Sequence, residues 1–405
     1  MIVAGEPSGD LHAAKLARAL LETPDTDFDF FGSAGPRMRD AGVEPIVKAD
    51  DLSIVGLPEI ARALPKFLRV FNALKREAIV RRPDVIVLVD FPDFNLKLAK
   101  TLSKRGFKIV YYISPQLWAW RQYRINTIRR YVDLLISILP FEKTWYANHG
   151  VEHVEYVGSP LSREVHATVE RGEFCRIHGL NPDKRIVALL PGSRHKEIAR
   201  ILPLMLETAS RMNKSDPSLQ FVIATGSLEN RKDVDAIVNA VRENEQNLPG
   251  TLVTIQNETF NALNAADAAA VASGTATLET GIIGTPMAVV YKTSALNYKL
   301  LRPLIDVEHF GLINLIAGER VAAELIQADF SAQSLADELF RLLDEDTNKE
   351  VREKLGATAE KLGRGGASKR AAEAILKIVE AERKKKTTGD DAPKERRDPS
   401  SKNDL

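Results

Sequence analysis

Short apolar runs recur along this chain, each stopping against a charged residue, a glycine or a proline, and stretches of helical periodicity separate them. That alternation admits few folds. Strands alternating with helices call for parallel sheets covered on both faces, and a strand buried on both faces is apolar without a break. The run Val85 to Val89 in PDVIVLVDFPDFN is the clearest case. It meets Asp90, a charge that cannot stay unpaired in a dry core. Pro92 has no N–H for a central ladder. The strand should therefore end near Asp90 and leave its carboxylate at the carboxyl edge of the sheet, where ligands of open α/β sheets bind. A helix follows, with Asp93 or Asn95 as its cap. Asp90 reads as a general base; a carboxylate that only satisfies loop amides is the plainer alternative.

Three other strand ends carry chemistry. Met1 to Ala4 runs into GEPSGD and a helix. Gly5 and Gly9 do not make a GxGxxG fingerprint, so no dinucleotide fold follows, but they let backbone amides approach a ligand at a helix N-terminus. Ser8 and Asp10 fit helix capping as well as binding, whereas Glu6 sits where the strand opens. Almost nothing precedes this strand, which a start further upstream or a clipped strand would explain. RIVALL leads into PGSR, where Gly192 and Ser193 offer backbone donors and Arg194 a planar fork for phosphate oxygens; the GK[ST] ending of a Walker loop is missing. AAAVASGTATLE ends a strand at Ser273-Gly274-Thr275 and begins a helix whose free amides favour a pyrophosphate. Glu279, one turn beyond Thr275, could accept hydrogen bonds from both hydroxyls of a ribose, or be incidental to a capped helix. Asn314 lies in a loop from which it could reach the cleft.

At 405 residues the chain is too long for one ordinary core. We expect a first α/β domain over 1–162, a second over 163–355, a helix over 356–383 and a disordered charged tail over 384–405. A net charge of +1 gives no support for a nucleic-acid partner bound by bulk electrostatics. One cysteine, Cys175, excludes an internal disulfide and a cysteine-rich zinc site. No apolar run is long enough to span a bilayer, and the first residues lack the basic and apolar regions of a secretory signal. Pro65 should start a helix with Phe67, Leu68, Phe71, Leu74 and Ala78 on one face, amid Lys66, Arg69, Lys75 and Arg76. It is either a core helix with a solvated basic side or one lying on an anionic lipid surface. Trp118, Trp120 and Tyr123 among Arg121, Arg124, Arg129 and Arg130 could hold a phosphate or a sugar face, or form a packed helix with an exposed arginine side.

AGEPSGD, AGPRM, VDFPDFN, SPQLWAWR, LPFEK, LLPGSR, ASGTATLE and NLIAG, in this order, resemble lipid-A-disaccharide synthases over nearly the whole chain except the charged tail. Where many of those enzymes have histidine at the interdomain turn, Ser159 stands here, so the turn gets no chemical role. The resemblance implies a GT-B glycosyltransferase, with two Rossmann-like domains facing a cleft; the helical C-terminal region could return to the first domain or cross to a second copy in a homodimer. It implies transfer of 2,3-diacylglucosamine from UDP to 2,3-diacylglucosamine 1-phosphate (lipid X), with inversion; since both substrates carry acyl chains, we expect a peripheral enzyme on the cytoplasmic face of an anionic inner membrane. In that scheme Asp90 takes the proton of the acceptor 6-hydroxyl. Arg194, Ser193 and the amides of Ser273, Gly274 and Thr275 stabilise the pyrophosphate, Glu279 holds the ribose, and Glu6 and Asn314 orient the sugars. Neither a metal nor a cofactor is called for. A UDP-N-acetylglucosamine epimerase or hydrolase of the same fold is the alternative, and a non-catalytic binding protein a third.

Overall fold

A computed structural model describes residues 1–24, 26–49, 57–243, 248–294 and 309–387; of 57–64 and 385–387 only the helical backbone is described. Most of the stretch expected to be a charged tail lies outside these residues. The chain divides into two compact units, Met1–Pro160 with the chain from Gly366 onward, and Leu161–Gly365.

Among the described residues the first unit holds a seven-stranded parallel sheet in the order β3-β2-β1-β4-β5-β6-β7. Its strands are β1 (Ile2–Val3), β2 (Phe31–Ala34), β3 (Glu44–Lys48), β4 (Ile86–Val89), β5 (Ile109–Tyr112), β6 (Leu134–Ser137) and β7 (Val154–Tyr156). Helices α1 (Pro7–Leu21), α2 (Pro36–Asp40), α3 (Leu57–Arg81), α4 (Pro92–Ser103), α5 (Ile125–Tyr131) and α6 (Glu142–Asn148) connect them. Successive side chains of a strand point to opposite faces, and the core divides accordingly. Val3, Ile86, Leu88, Ile109, Tyr111 and Leu135 pack with Leu74, Phe94, Leu98 and Ile128 of α3, α4 and α5. Ile2, Val87, Val89, Val110, Tyr112 and Ile136 pack on the other face with Ala13, Leu16 and Ala17 of α1. Being covered twice is why β4 reads as an unbroken apolar run.

The second unit holds six parallel strands in the order β10-β9-β8-β11-β12-β13. These are β8 (Ile186–Leu190), β9 (Gln220–Thr225), β10 (Leu252–Gln256), β11 (Ala268–Ala272), β12 (Met287–Tyr291) and β13 (Ala323–Ile326). Its helices are α7 (Leu161–Glu164), α8 (Arg171–His178), α9 (His195–Ser215), α10 (Leu228–Glu243), α11 (Thr259–Ala265), α12 (Thr275–Ile283), α13 (Leu312–Ala317), α14 (Ala332–Leu343) and α15 (Glu345–Glu360). Beyond α15, Gly363, Gly365 and Gly366 all have positive φ. The last helix, α16 (Ala367–Thr387), places Ala371, Ala372, Ala374 and Ile375 against the α1 side of the first sheet.

Several local expectations are corrected. β3 and β13 had no clear signal; β3 contains Pro45 and is partly exposed, as suits an edge strand. Pro65 does not start α3 but lies inside it, the helix beginning at Leu57. Among the described side chains of α3, Val70, Leu74 and Ala78 are buried, while Leu68 is 54% exposed. Residue 356, the expected start of a returning helix, lies within α15, and the return is made by α16. Asp10 caps α2 rather than its own helix, accepting from the amides of Arg37 and Met38 at 2.9 and 3.1 Å.

Candidate active site

In both sheets the strand order reverses beside the first strand of the unit, and ligands of open α/β sheets bind outside the strand ends at such a point. In the first unit the reversal lies between β1 and β4. The chain leaves β1 through Gly5-Glu6 and leaves β4 through Asp90, so these two carboxylates belong to one sheet edge.

The backbone at Asp90 is unusual. Asp90 and Phe91 both have a φ of 49°, left-handed for two non-glycine residues in succession. Such conformations cost about 1–3 kcal/mol each and persist only where the surroundings enforce them. Three bonds do so. The Asp90 amide donates to Tyr112 O at 3.0 Å. Its carbonyl accepts from Asn95 Nδ2 at 2.8 Å and from the Tyr111 hydroxyl at 2.6 Å. Asn95 also donates to Val89 O at 3.2 Å. Asn95 is thus buried and ties the strand end down; the expected cap position is held by Phe91, with no side-chain cap and Pro92 in the first turn. The kink ends the ladder at Asp90, whose side chain is half-buried and whose main chain is bound at both its amide and its carbonyl. Burial raises the Asp90 pKa above the usual aspartate value, opposed only by the Phe91 amide. Glu6 is also raised, first by burial and then by the Asp90 charge. A carboxylate shifted upward is the stronger base.

Beside this edge runs the segment after β5. Trp118 is buried and donates to Glu142 Oε1 at 3.1 Å, and the Tyr146 hydroxyl donates to Pro115 O at 2.9 Å. Burial pushes the Glu142 carboxyl up to about 7. Asp93 does not cap α4; it accepts from Arg121 Nη1 at 2.9 Å and from Arg124 Nη2.

In the second unit the reversal lies between β8 and β11, whose ends are the PGSR and SGT segments. Gly192 has a φ of +113°, and a Cβ there would stand 3.0 Å from Glu197 Oε2, so glycine is required twice over. Asn230 Nδ2 donates to Ser193 O at 2.8 Å and fixes the turn from outside. Arg194 is the residue before α9; its side chain is 82% exposed and pairs with Glu197 at 3.0 Å. Gly274 has a φ of +154° with open space where a side chain would be. Ser273 is a correction: its amide donates to Val290 O at 2.9 Å and its hydroxyl to Phe310 O at 2.9 Å, so neither is free for a phosphate. The amides that begin α12, from Gly274 and Thr275, remain at the open helix end.

Glu279 follows one turn later, half-buried, its pKa raised by burial. It lines a hollow of about 340 Å³ with His166, Thr168, Gly226, Asn257 and Phe260. Sequence reasoning missed these residues, which come from the segment after α7, the ends of β9 and β10 and the first turn of α11. Asn314 is the second correction. It lies in α13, fully buried. Its Nδ2 donates to Ala322 O at 2.8 Å and Glu324 Oε1 at 2.9 Å, and its Oδ1 accepts from the amides of Val321 and Ala322, both at 2.9 Å. An asparagine has no more bonds to give. Its part is to shape the turn behind Ser273.

Residues 1–379 match the family model described as lipid-A-disaccharide synthetase. A lipid-A-disaccharide synthase of Geobacter sulfurreducens is 41% identical over 381 residues, covering 94% of this chain and 97% of that protein. Among solved structures, a UDP-GlcNAc 2-epimerase of Neisseria meningitidis aligns with a TM-score of 0.58 at 13% identity, covering 91% of this chain and 97% of that one. A glycosyltransferase of Rickettsia africae aligns with a TM-score of 0.58 at 12% identity, covering 95% and 97%. The structural likenesses show the fold alone, and they fall on epimerases and glycosyltransferases alike.

Proposed function

The chain belongs to the lipid-A-disaccharide synthases, glycosyltransferases of GT-B fold, and from that premise we propose how its two sheet edges divide the reaction. The donor is UDP-2,3-diacylglucosamine and the acceptor lipid X. The donor is α-linked and the product β-linked, so one direct displacement suffices: the acceptor 6-hydroxyl attacks the anomeric carbon, the bond to the diphosphate breaks, and UDP leaves.

The observation that carries this reading is the clamped kink at Asp90. It presents one carboxylate, of raised basicity, from a main chain that cannot relax. Asp90 takes the hydroxyl proton as the new bond forms. Glu6, on the same edge, accepts hydrogen bonds from the sugar. In the second unit, Arg194 and the Gly274 and Thr275 amides stabilise the charge that grows on the leaving diphosphate. Glu279 holds the ribose at the mouth of its hollow.

Incubation with both substrates and mass detection of the disaccharide tests the reading. UDP released without lipid X would favour the epimerase or hydrolase alternative, and tight binding without turnover a non-catalytic protein.

Among the described residues no helix is long and apolar enough to cross a membrane. Both substrates carry acyl chains, and α3 presents exposed Leu68 and Arg69 with half-buried Lys66, Phe67 and Phe71. We read α3 as an interfacial helix that rests on the anionic inner leaflet from the cytoplasmic side. Combining Leu68→Ser with Lys66→Glu and Arg69→Glu should abolish sedimentation with anionic vesicles; undiminished binding would refute the assignment.

A further inference from the structure

We propose that Arg121 and Arg124, gathered on Asp93, form a binding site for the phosphate monoester of the acceptor. The inference rests on the acceptor assigned above and adds to it the residues that would read its charge.

Three observations lead there. First, both guanidinium groups converge on one atom, Asp93 Oδ1, Arg121 at 2.9 Å and Arg124 beside it. Two cations therefore share one carboxylate, leaving one positive charge uncompensated within the cluster. Arg124 is only 14% exposed, whereas Asp93 is 67% exposed. A largely desolvated cation with half a counter-charge favours a second anion. Second, the segment does not need this ion pair to stay in place. Trp118 is already pinned by Glu142, and Pro115 by Tyr146. Third, the forks are held in position. Arg121 has a φ of 56° and lies over the Trp120 ring at 4.0 Å, and Trp120 is 42% exposed. A stacked guanidinium keeps its donors in one plane, which suits paired contacts to phosphate oxygens.

Position agrees with chemistry. Asp93 is in the first turn of α4, which starts directly after the Asp90 kink. In lipid X the reacting 6-hydroxyl and the 1-phosphate lie at opposite ends of one sugar ring. A site reading the phosphate must stand about one ring away from the base, and Asp93, which gathers the two arginines, follows Asp90 three residues along the chain. Asp93 remains as the carboxylate that spaces the two forks, and the phosphate supplies the missing charge.

The test compares two acceptors, lipid X and the same diacylglucosamine without its phosphate, on the wild-type protein, Arg121→Gln, Arg124→Gln and the double variant. Wild type should prefer lipid X. Each substitution should raise KM for lipid X roughly ten- to hundredfold, the worth of a charge-assisted hydrogen bond. KM for the dephosphorylated acceptor and kcat at saturation should hold, so that the preference collapses. A preference for lipid X that survives in the double variant overturns the site, as does a wild type that never had one. If the double variant melts early, Arg121→Lys decides by the same ratio, since it keeps the charge and loses the fork. A wild type that makes no disaccharide defeats the acceptor assignment itself; disaccharide formed with an unchanged ratio defeats only the phosphate site.

Discussion

The β1/β4 edge and the β8/β11 edge have the same topology and opposite chemistry. Both lie where the strand order reverses, and both are reached by a short turn leading into a helix. The first carries two carboxylates, Glu6 and Asp90, on a backbone that is left-handed at non-glycine residues and bound by buried Asn95 and Tyr111. The second carries an exposed arginine and open helix amides on glycine turns that need little enforcement. Strand order fixes where a ligand can bind; the residues that end the strands fix the sign of charge offered and how firmly it is held. A base must be placed with little tolerance. A diphosphate is a large, diffuse charge that an exposed arginine can reach.

The largest test of this contrast is Asp90→Asn. It should lower kcat roughly 10²–10⁴-fold, the range for a lost general base, with UDP affinity unchanged. A matching loss of UDP affinity would show that the two edges do not divide the work. Arg194→Ala should cost roughly a hundredfold in kcat/KM for the donor and weaken UDP binding. A normal donor kcat/KM would remove Arg194 from the scheme. Tyr111→Phe deletes one hydrogen bond to the Asp90 carbonyl and should reduce kcat about tenfold, the order of one such bond. No change would mean that Asn95 and the bond to Tyr112 O hold the kink without Tyr111. Smallest in turnover is Glu142→Gln, which keeps an acceptor for Trp118. The Glu142 carboxyl is neutral in the fold up to about pH 7 but ionises near 4.5 in the unfolded chain. The stability it adds is whole below pH 4.5 and is lost as pH rises through 7, a few kcal/mol at most. Melting curves across that window should slope in the wild type and flatten in the variant.

Both strand ends were legible in the sequence because they are local. An apolar run broken by Asp90 and Pro92, or by PGSR, declares its own boundary. The corrections concern bonds between distant segments. Asp10 looked like a cap and is one, but of a helix that begins beyond the next strand. Asp93 also looked like a cap; its partners are arginines reached only after α4 and β5. Asn314 has a loop residue's composition, and only its burial beside Glu324 shows that its amide is already spent. Ser273 belongs to a motif that suggests free donors, yet its amide is in the ladder to β12. The Asp90 kink left no trace either, since nothing in DFPD calls for two left-handed residues; Tyr111 and Asn95 impose it.

The return of α16 has a consequence for biosynthesis. The alanine-lined groove of α1 is made early, and the helix that fills it emerges from the ribosome only after the whole second unit has been made. The first unit must wait half-finished, with an apolar surface uncovered, while its neighbour is translated and folds. A nascent chain stalled before Gly366 should therefore be one that chaperones retain.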